Sequence, residues 1–129
     1  MIMPRVVTDT NVLVSALLSP LGNPAKIHKM FLAGLLTLVY SSEILDEYQN
    51  VLSRPRLKIP ENEIEIVFSA MKQYGERIKP LPSTDEMIDE SDRIFYDAAK
   101  SAGAYLITGN MRHYPQASFI LTPKDFLEL

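Results

Sequence analysis

The sequence predicts an α/β fold in which helices cover both faces of a mainly parallel sheet of four to five strands. Short apolar or β-branched runs alternate along the chain with longer segments whose apolar residues recur every three to four positions. Clusters of Gly and Pro separate these segments, as expected between the elements of an α/β unit. Two of the short runs end in similar polar tips, Thr8-Asp9-Thr10-Asn11 and Thr108-Gly109-Asn110.

The first strand is predicted at Val6-Val7, and its polar tip leads directly into a helix. Thr10 or Asn11 is the expected cap of this helix, which runs through about Leu18. Asp9 then lies at the carboxyl end of a strand, where ligands bind in open parallel sheets. The alternative is that Asp9 or Asn11 serves only as a helix cap.

A second helix and a second strand follow this first unit. Asn23-Pro24 begins the helix, because Pro in a first turn loses no hydrogen bond, and Gly34 suits its end. The apolar run 36–40 is predicted to be the second strand. Ser41-Ser42 then caps a third helix.

The third helix has one apolar face and an acidic residue at the edge of that face. Its apolar residues recur with helical spacing: Ile44, Leu45, Tyr48, Val51 and Leu52. At about 100° per residue, Glu47 lies roughly 100° from the centre of this face and Asp46 about 160° from it. We therefore expect Glu47 near the core and Asp46 in solvent. A solvated helix carboxylate is the alternative interpretation of Glu47.

A fourth helix is predicted to begin at Pro60. Its inward residues are expected to be Ile64, Val67, Phe68, Met71 and Tyr74. Two prolines exclude a helix in 77–82. This middle third also concentrates positive charge, which forms either a solvated surface or a rim that steers a polyanion. The basic residues are Arg54, Arg56, Lys58, Lys72, Arg77 and Lys79.

An acidic loop, residues 85–92, leads into a fifth helix. The predicted buried stripe of this helix consists of Phe95, Ala98, Ala99 and Ala102. The same angular argument places Asp92 about 70° from the centre of the stripe and Asp97 about 150° away. Asp92 should therefore face inward at the start of the helix, and Asp97 should face water. Capping alone could explain Asp92, because a carboxylate there meets the positive end of the helix dipole.

The last part of the chain repeats the pattern of strand, polar tip and helix. A third strand is predicted at 104–107 and a fourth at 118–121, with a turn at 112–115 between them. Thr122-Pro123 caps a final short helix that extends through Leu127.

Composition restricts the class of protein. A length of 129 residues predicts a single domain, 1–129, whose hydrophobic core is large enough to be stable without disulfides or a structural metal ion. The sequence contains no Cys, so an ion in this protein must be bound by oxygen ligands or by the two His residues. No apolar run reaches the length of a membrane span, and the first residues lack a signal-peptide pattern, so we expect a cytoplasmic protein. A net charge of -3 disfavours broad neutralisation of nucleic-acid phosphates by the protein.

Three acids, Asp9, Glu47 and Asp92, are predicted to meet although they come from distant parts of the chain. Carboxylates that converge in a crevice repel one another, and a cation relieves that repulsion. Ligation by oxygen alone favours Mg²⁺ or Mn²⁺. Such ions suit phosphoryl transfer to water, so the three acids are candidates for both catalysis and metal binding.

These segments together resemble the motifs of PIN-domain ribonucleases. The similarity extends in order from Val6 to about Phe126 and is strongest to the branch described as toxin components of toxin-antitoxin systems. The similar segments are Val7 to Ala16, Ile44 to Tyr48, Asp89 to Tyr96, and Thr108-Gly109-Asn110 with His113-Tyr114-Pro115.

The resemblance implies a three-layer α/β/α sandwich that cleaves single-stranded RNA with water activated by Mg²⁺ or Mn²⁺, leaving a 3'-hydroxyl and a 5'-phosphate. It assigns the acids of the site to Asp9, Glu47 and Asp92, with Asn11, Asn110 and Thr108 as supporting residues. The family often has a fourth acid where this chain has Asn110, which brings no charge for a second ion. An antitoxin protein is the implied partner, and the resemblance is compatible with a homodimer or higher oligomer.

Two other classes of function remain as alternatives. A PIN-like module without strong catalysis could act through protein or RNA binding, which the presence of Asn110 and the negative net charge favour. A phosphatase with Asp9 as nucleophile is disfavoured, because we find no lysine and second aspartate at a suitable spacing.

Overall fold

The protein, described from a computed structural model that covers residues 3–129, is built on a five-stranded sheet. The strands are β1 (Arg5–Thr8), β2 (Thr37–Tyr40), β3 (Glu76–Arg77), β4 (Tyr105–Ile107) and β5 (Ile120–Leu121). The helices are α1 (Thr10–Leu18), α2 (Asn23–Leu32), α3 (Ser42–Leu52), α4 (Glu61–Tyr74), α5 (Arg93–Ala102) and α6 (Pro123–Leu127). Residues 1 and 2 of the predicted domain lie outside the described residues. The prediction that the first residues lack a signal-peptide pattern therefore also falls partly outside them.

The sheet confirms the predicted α/β fold with parallel strands. All four pairings are parallel, and the order is β3-β2-β1-β4-β5. In the central strand β1, the consecutive residues Val6, Val7 and Thr8 are all buried. Because successive side chains of a strand point to opposite faces, both faces of the sheet are covered. Among residues 3–129, no helix is both long and apolar enough to cross a bilayer.

The strand order creates a crevice beside β1. The chain proceeds from β1 to β2 and β3 on one side, and then returns to place β4 and β5 on the other side. The carboxyl ends of β1 and β4 are therefore neighbours, with Val7 paired to Leu106. A switch of this kind is where open parallel sheets bind their ligands.

The apolar face predicted for α3 lies in the core. Ile44, Tyr48 and Leu52 are at most 1% exposed. The Tyr48 hydroxyl donates to the backbone carbonyl of Thr8, which fixes α3 to the end of β1. Ser41 caps this helix by accepting from the amide of Ile44, as predicted.

The first helix begins earlier than predicted, and its cap is a different residue. Asp9, and neither Thr10 nor Asn11, is the N-cap, and its carboxylate accepts from the amide of Val12. Asp9 is thus both the N-cap of α1 and the residue that directly follows β1. The prediction for α6 was correct, since Thr122 caps that helix.

Two predicted side-chain orientations are wrong. Asp97 is 7% exposed, because the loop at 78–89 packs on α5 and Ser83 donates to the Asp97 carboxylate from both its amide and its hydroxyl. Tyr74 is 56% exposed, because α4 ends at this residue and its ring lies at the surface beside Ile66. Asp46 is exposed, as predicted.

Candidate active site

The carboxyl edge of the sheet contains a cleft that brings the three predicted acids together. Asp9 enters it from the end of β1, Glu47 from α3, and Asp92 from the start of α5. The cleft has a volume of about 140 Å³, which is room for several waters or a hydrated ion. Its other lining residues are Thr10, Asn11, Ser91, Phe95, Asn110 and His113.

Asp9 is held rigidly at the base of the cleft. One carboxylate oxygen accepts from the amide of Val12 and the other from the hydroxyl of Thr108, at the tip of β4. Its own amide donates to the carbonyl of Ile107 at 3.1 Å. Burial raises the pKa of Asp9, the two hydrogen bonds lower it in part, and the charge of Asp92 raises it again. Asp9 therefore both caps α1 and presents a carboxylate to the cleft.

Asp92 faces the cleft without a bonded partner. It occupies the N-cap position of α5, but its side chain makes no capping hydrogen bond, so capping does not explain it. Its Oδ2 atom is buried and has no hydrogen-bond partner within the described chain, residues 3–129. Burial raises the pKa of Asp92, and so does the charge of Asp89, whereas nearby His113 lowers it.

Glu47 lies on the cleft wall and is half-buried. Its helix is packed against the helix of Asp92 through the stacked rings of Tyr48 and Phe95, whose centroids are 6.5 Å apart. The predicted position at the edge of the α3 core face is therefore confirmed. The catalytic role of Glu47 stays a prediction.

Unpaired polar atoms concentrate at this cleft. Among residues 3–129, three buried side-chain oxygens lack a hydrogen-bond partner: Thr10 Oγ1, Asp92 Oδ2 and the Tyr114 hydroxyl. Thr10 and Asp92 line the cleft. The Tyr114 hydroxyl lies beside Asp9: burial raises its pKa, and the charges of Asp9 and Asp92 and a hydrogen-bond interaction with the Asp9 carboxylate, outside strict hydrogen-bond geometry, raise it further. Each unpaired buried group costs about 1–3 kcal/mol. Thr10 Oγ1 and Asp92 Oδ2 are therefore available in the cleft for a hydrogen bond or for ligation.

The residues present fit a hydrated divalent cation. In residues 3–129, no three acidic or histidine side chains are arranged to hold one ion together. Mg²⁺, however, commonly uses one or two carboxylates and completes its shell with water and substrate phosphate. Asp9 and Asp92 supply such a pair, and the unpaired Oδ2 of Asp92 is a free ligand atom. Glu47 and Asn110 are further oxygen donors on the same walls.

The sequence interpretation gave no role to two aromatic residues of the site. His113 lines the cleft, and the buried Tyr114 lies directly after it. Both belong to the segment His113-Tyr114-Pro115, which was one of those that carry the family resemblance, and that was the available signal. Asn11 and Asn110 line the cleft as expected, while Thr108 is fully buried behind Asp9.

This chain is similar to a protein family, to an uncharacterized relative and to a solved structure. A family model described as "PIN domain" matches residues 5–112. "Uncharacterized protein MJ1680" of Methanocaldococcus jannaschii is 32% identical over 109 residues, which cover 82% of this chain and 70% of that protein. The crystal structure of PAE2754 from Pyrobaculum aerophilum superimposes with a TM-score of 0.56 and 15% identity, covering 98% of this chain and 88% of the other. The last comparison supports the fold alone.

Proposed function

The chain belongs to the PIN domain family, whose members are generally nucleases that use divalent metals, and from that premise we propose a specific activity. The protein is a cytoplasmic endoribonuclease, dependent on Mg²⁺ or Mn²⁺, that cleaves single-stranded RNA to a 3'-hydroxyl and a 5'-phosphate. One observation carries the proposal beyond the family. Two unpaired buried oxygens found among residues 3–129, Thr10 Oγ1 and Asp92 Oδ2, belong to residues that line the cleft shared by Asp9 and Asp92.

The residues of the cleft divide into two roles. Asp9 and Asp92 would hold the ion, with Glu47 and Asn110 as further donors. When bound, such an ion polarises a phosphate oxygen and lowers the pKa of water. Thr108 keeps the Asp9 carboxylate oriented from behind, so that it is preorganised for this task.

Cleavage of labelled single-stranded RNA by the purified protein tests the proposal. We expect cleavage with Mn²⁺ or Mg²⁺, none with a chelator, and recovery when the ion is restored. Asp9→Asn should lower the rate at least about 100-fold, because the site loses a charge aimed at the ion. The fold should persist, since Asn caps helices as well as Asp.

A matched control lies on α3. Glu47→Gln should lose activity, whereas Asp46→Asn removes the same charge from the adjacent exposed position and should not. Full activity in Asp9→Asn, or equal losses in the two α3 variants, would contradict the assignment. RNA binding without cleavage by the wild-type protein would favour the alternative of a binding module.

We also propose that the protein is the toxin of a toxin-antitoxin pair. The resemblance to that branch of the family supports this role. The antitoxin would cover the cleft and offer a basic side chain to its carboxylates. Expression of the wild-type protein should then stop growth and degrade RNA, whereas Asp9→Asn should do neither. Normal growth with an active enzyme in the cell would refute the toxin role.

A further inference from the structure

A short turn after β4 places a histidine at the rim of the cleft. This 3₁₀ turn, Met111–His113, brings Asn110 and His113 onto the same side, because residues three apart eclipse in such a turn. The Asn110 side-chain nitrogen Nδ2 is 3.0 Å from His113 Nε2. The other ring nitrogen, Nδ1, is 3.7 Å from Asp92 Oδ2. The ring thus lies between an amide and an acid of the site.

The contact with Asn110 determines which ring nitrogen carries the proton. An amide nitrogen can only donate, so Nε2 must accept and its lone pair is occupied. In the neutral ring the proton is then on Nδ1, the nitrogen that faces Asp92. A ring in this tautomer has no free lone pair for a cation. His113 therefore enters the cleft as a hydrogen-bond donor.

Among residues 3–129, His113 Nδ1 has no protein acceptor within hydrogen-bond distance, which leaves it free to exchange water for a bound molecule. A separation of 3.7 Å from Asp92 Oδ2 is too long for a hydrogen bond. The His113 side chain is 53% exposed, so a bound molecule can reach it. Beside the acids that would hold an ion, the expected acceptor is an oxygen of the substrate phosphate.

We propose that His113 contacts the substrate by donating from Nδ1 to a phosphate oxygen of the bound RNA, and that Asn110 is the positioning residue that fixes this tautomer. The inference rests on the proposed ribonuclease function. Asn110 stands where the family often has a fourth acid. In this chain that position would orient the His113 donor and would add no charge.

Steady-state cleavage of labelled single-stranded RNA tests the contact. His113→Phe should raise KM about 10- to 100-fold with a smaller effect on kcat, because a hydrogen bond to a charged group is lost upon binding. His113→Gln keeps a donor and should recover part of the loss. His28→Gln, which changes the other histidine of the chain, is the control and should leave both constants unchanged. Unchanged constants in His113→Phe would overturn the proposal.

Calorimetric titration of Mn²⁺ without RNA separates a donor from a ligand. We expect the affinities of wild type and His113→Phe to agree within about twofold, because the ring offers no lone pair. A tenfold loss would make His113 a ligand and would overturn the proposal.

The tautomer of His113 can be determined directly by ¹⁵N NMR of the metal-free protein. This test does not depend on RNA cleavage. The His113 signal should show the proton on Nδ1, and Asn110→Ala should move it to Nε2. A wild-type proton on Nε2 overturns this inference alone and leaves the ribonuclease function standing. Absence of RNA cleavage by the wild-type protein would instead overturn the function, and this inference with it.

Discussion

At the scale of single residues, the buried hydroxyls of two tyrosines differ in their hydrogen bonding, and stability measurements can detect this difference. The Tyr48 hydroxyl donates to the Thr8 carbonyl, whereas the Tyr114 hydroxyl lies beside the Asp9 carboxylate without a hydrogen bond of good geometry to any of residues 3–129. Tyr48→Phe should lower the free energy of unfolding by about 1 kcal/mol. Tyr114→Phe should be neutral or stabilising in the metal-free protein, because it removes an unpaired buried group. Urea titration with a chelator present measures both.

Equal destabilisation by the two tyrosine substitutions would show that Tyr114 has a partner in the free protein. That result would weaken the argument that the unpaired oxygens mark a ligand site. It would not affect the assignment of Asp9, whose bonds to Val12 and Thr108 are made on both carboxylate oxygens.

Asp97 shows where reasoning from one helix fails. Periodicity placed it about 150° from the apolar stripe of α5, and the angle was correct for that helix. A separate loop covers this side of α5, and helical spacing carries no information about it. The same reasoning succeeded for Glu47 and Asp92, because each is near the face that its own helix buries.

The bonds of Asp97 predict a local effect. Asp97→Asn leaves donors of Ser83 and the nearby Arg93 without a carboxylate, so the free energy of unfolding should fall by about 1–3 kcal/mol. The loop at 78–89 should also exchange its amide hydrogens faster. Hydrogen exchange with Asp46→Asn as the control measures this. Unchanged protection of the loop would contradict the role given to Asp97.

At the scale of elements, strand β3 (Glu76–Arg77) depends on one glycine. Gly75 lies between α4 and β3, and a Cβ atom there would be 2.5 Å from the Met71 carbonyl oxygen and 2.9 Å from the Tyr40 ring. The sequence did not predict this strand, because two residues show no alternation. Its identity depends on pairing with β2, which is a property of the folded chain.

Substitution of that glycine gives a test with a control from the same chain. Gly75→Ala should lower the free energy of unfolding by about 1–3 kcal/mol, because backbone must move to admit the methyl group. Gly109→Ala has no atom within 4 Å of the added Cβ and should change stability little. Thermal unfolding of both variants measures the difference. Similar midpoints would contradict the close approach at Gly75.

At the scale of the whole molecule, the ion and the fold should be linked. Burial and the neighbouring charge of Asp92 raise the pKa of Asp9, so the ionised carboxylate destabilises the metal-free fold at neutral pH. A cation removes that cost and adds binding energy to the folded state, about 2.7 kcal/mol at one hundred times its Kd. Asp9→Asn should therefore be more stable than wild type with a chelator and gain less from Mn²⁺.

Melting curves with chelator and with Mn²⁺ decide this prediction. Asp9→Asn should melt at a higher temperature than wild type with chelator, and this difference should shrink or reverse with Mn²⁺. An equal rise in midpoint for both on adding Mn²⁺ would place the ion away from Asp9. Asp46→Asn is again the control, because it removes the same charge from an exposed position.

The hydrogen bond between Thr108 and Asp9 joins residues 99 positions apart, so Asp9 lacks this partner until β4 and the residue after it have been synthesised. The central strand β1 is made first, but its neighbour β4 comes almost at the end of the described chain. A growing chain on the ribosome therefore carries Asp9 long before it carries the strand that orients this residue. Pairing of strands so distant in sequence is also slow, because the entropy of closing the long loop opposes it. A PIN domain with this topology is made in the midst of messenger and ribosomal RNA, yet the cleft at the carboxyl edge of its sheet stays incomplete until translation has passed β4.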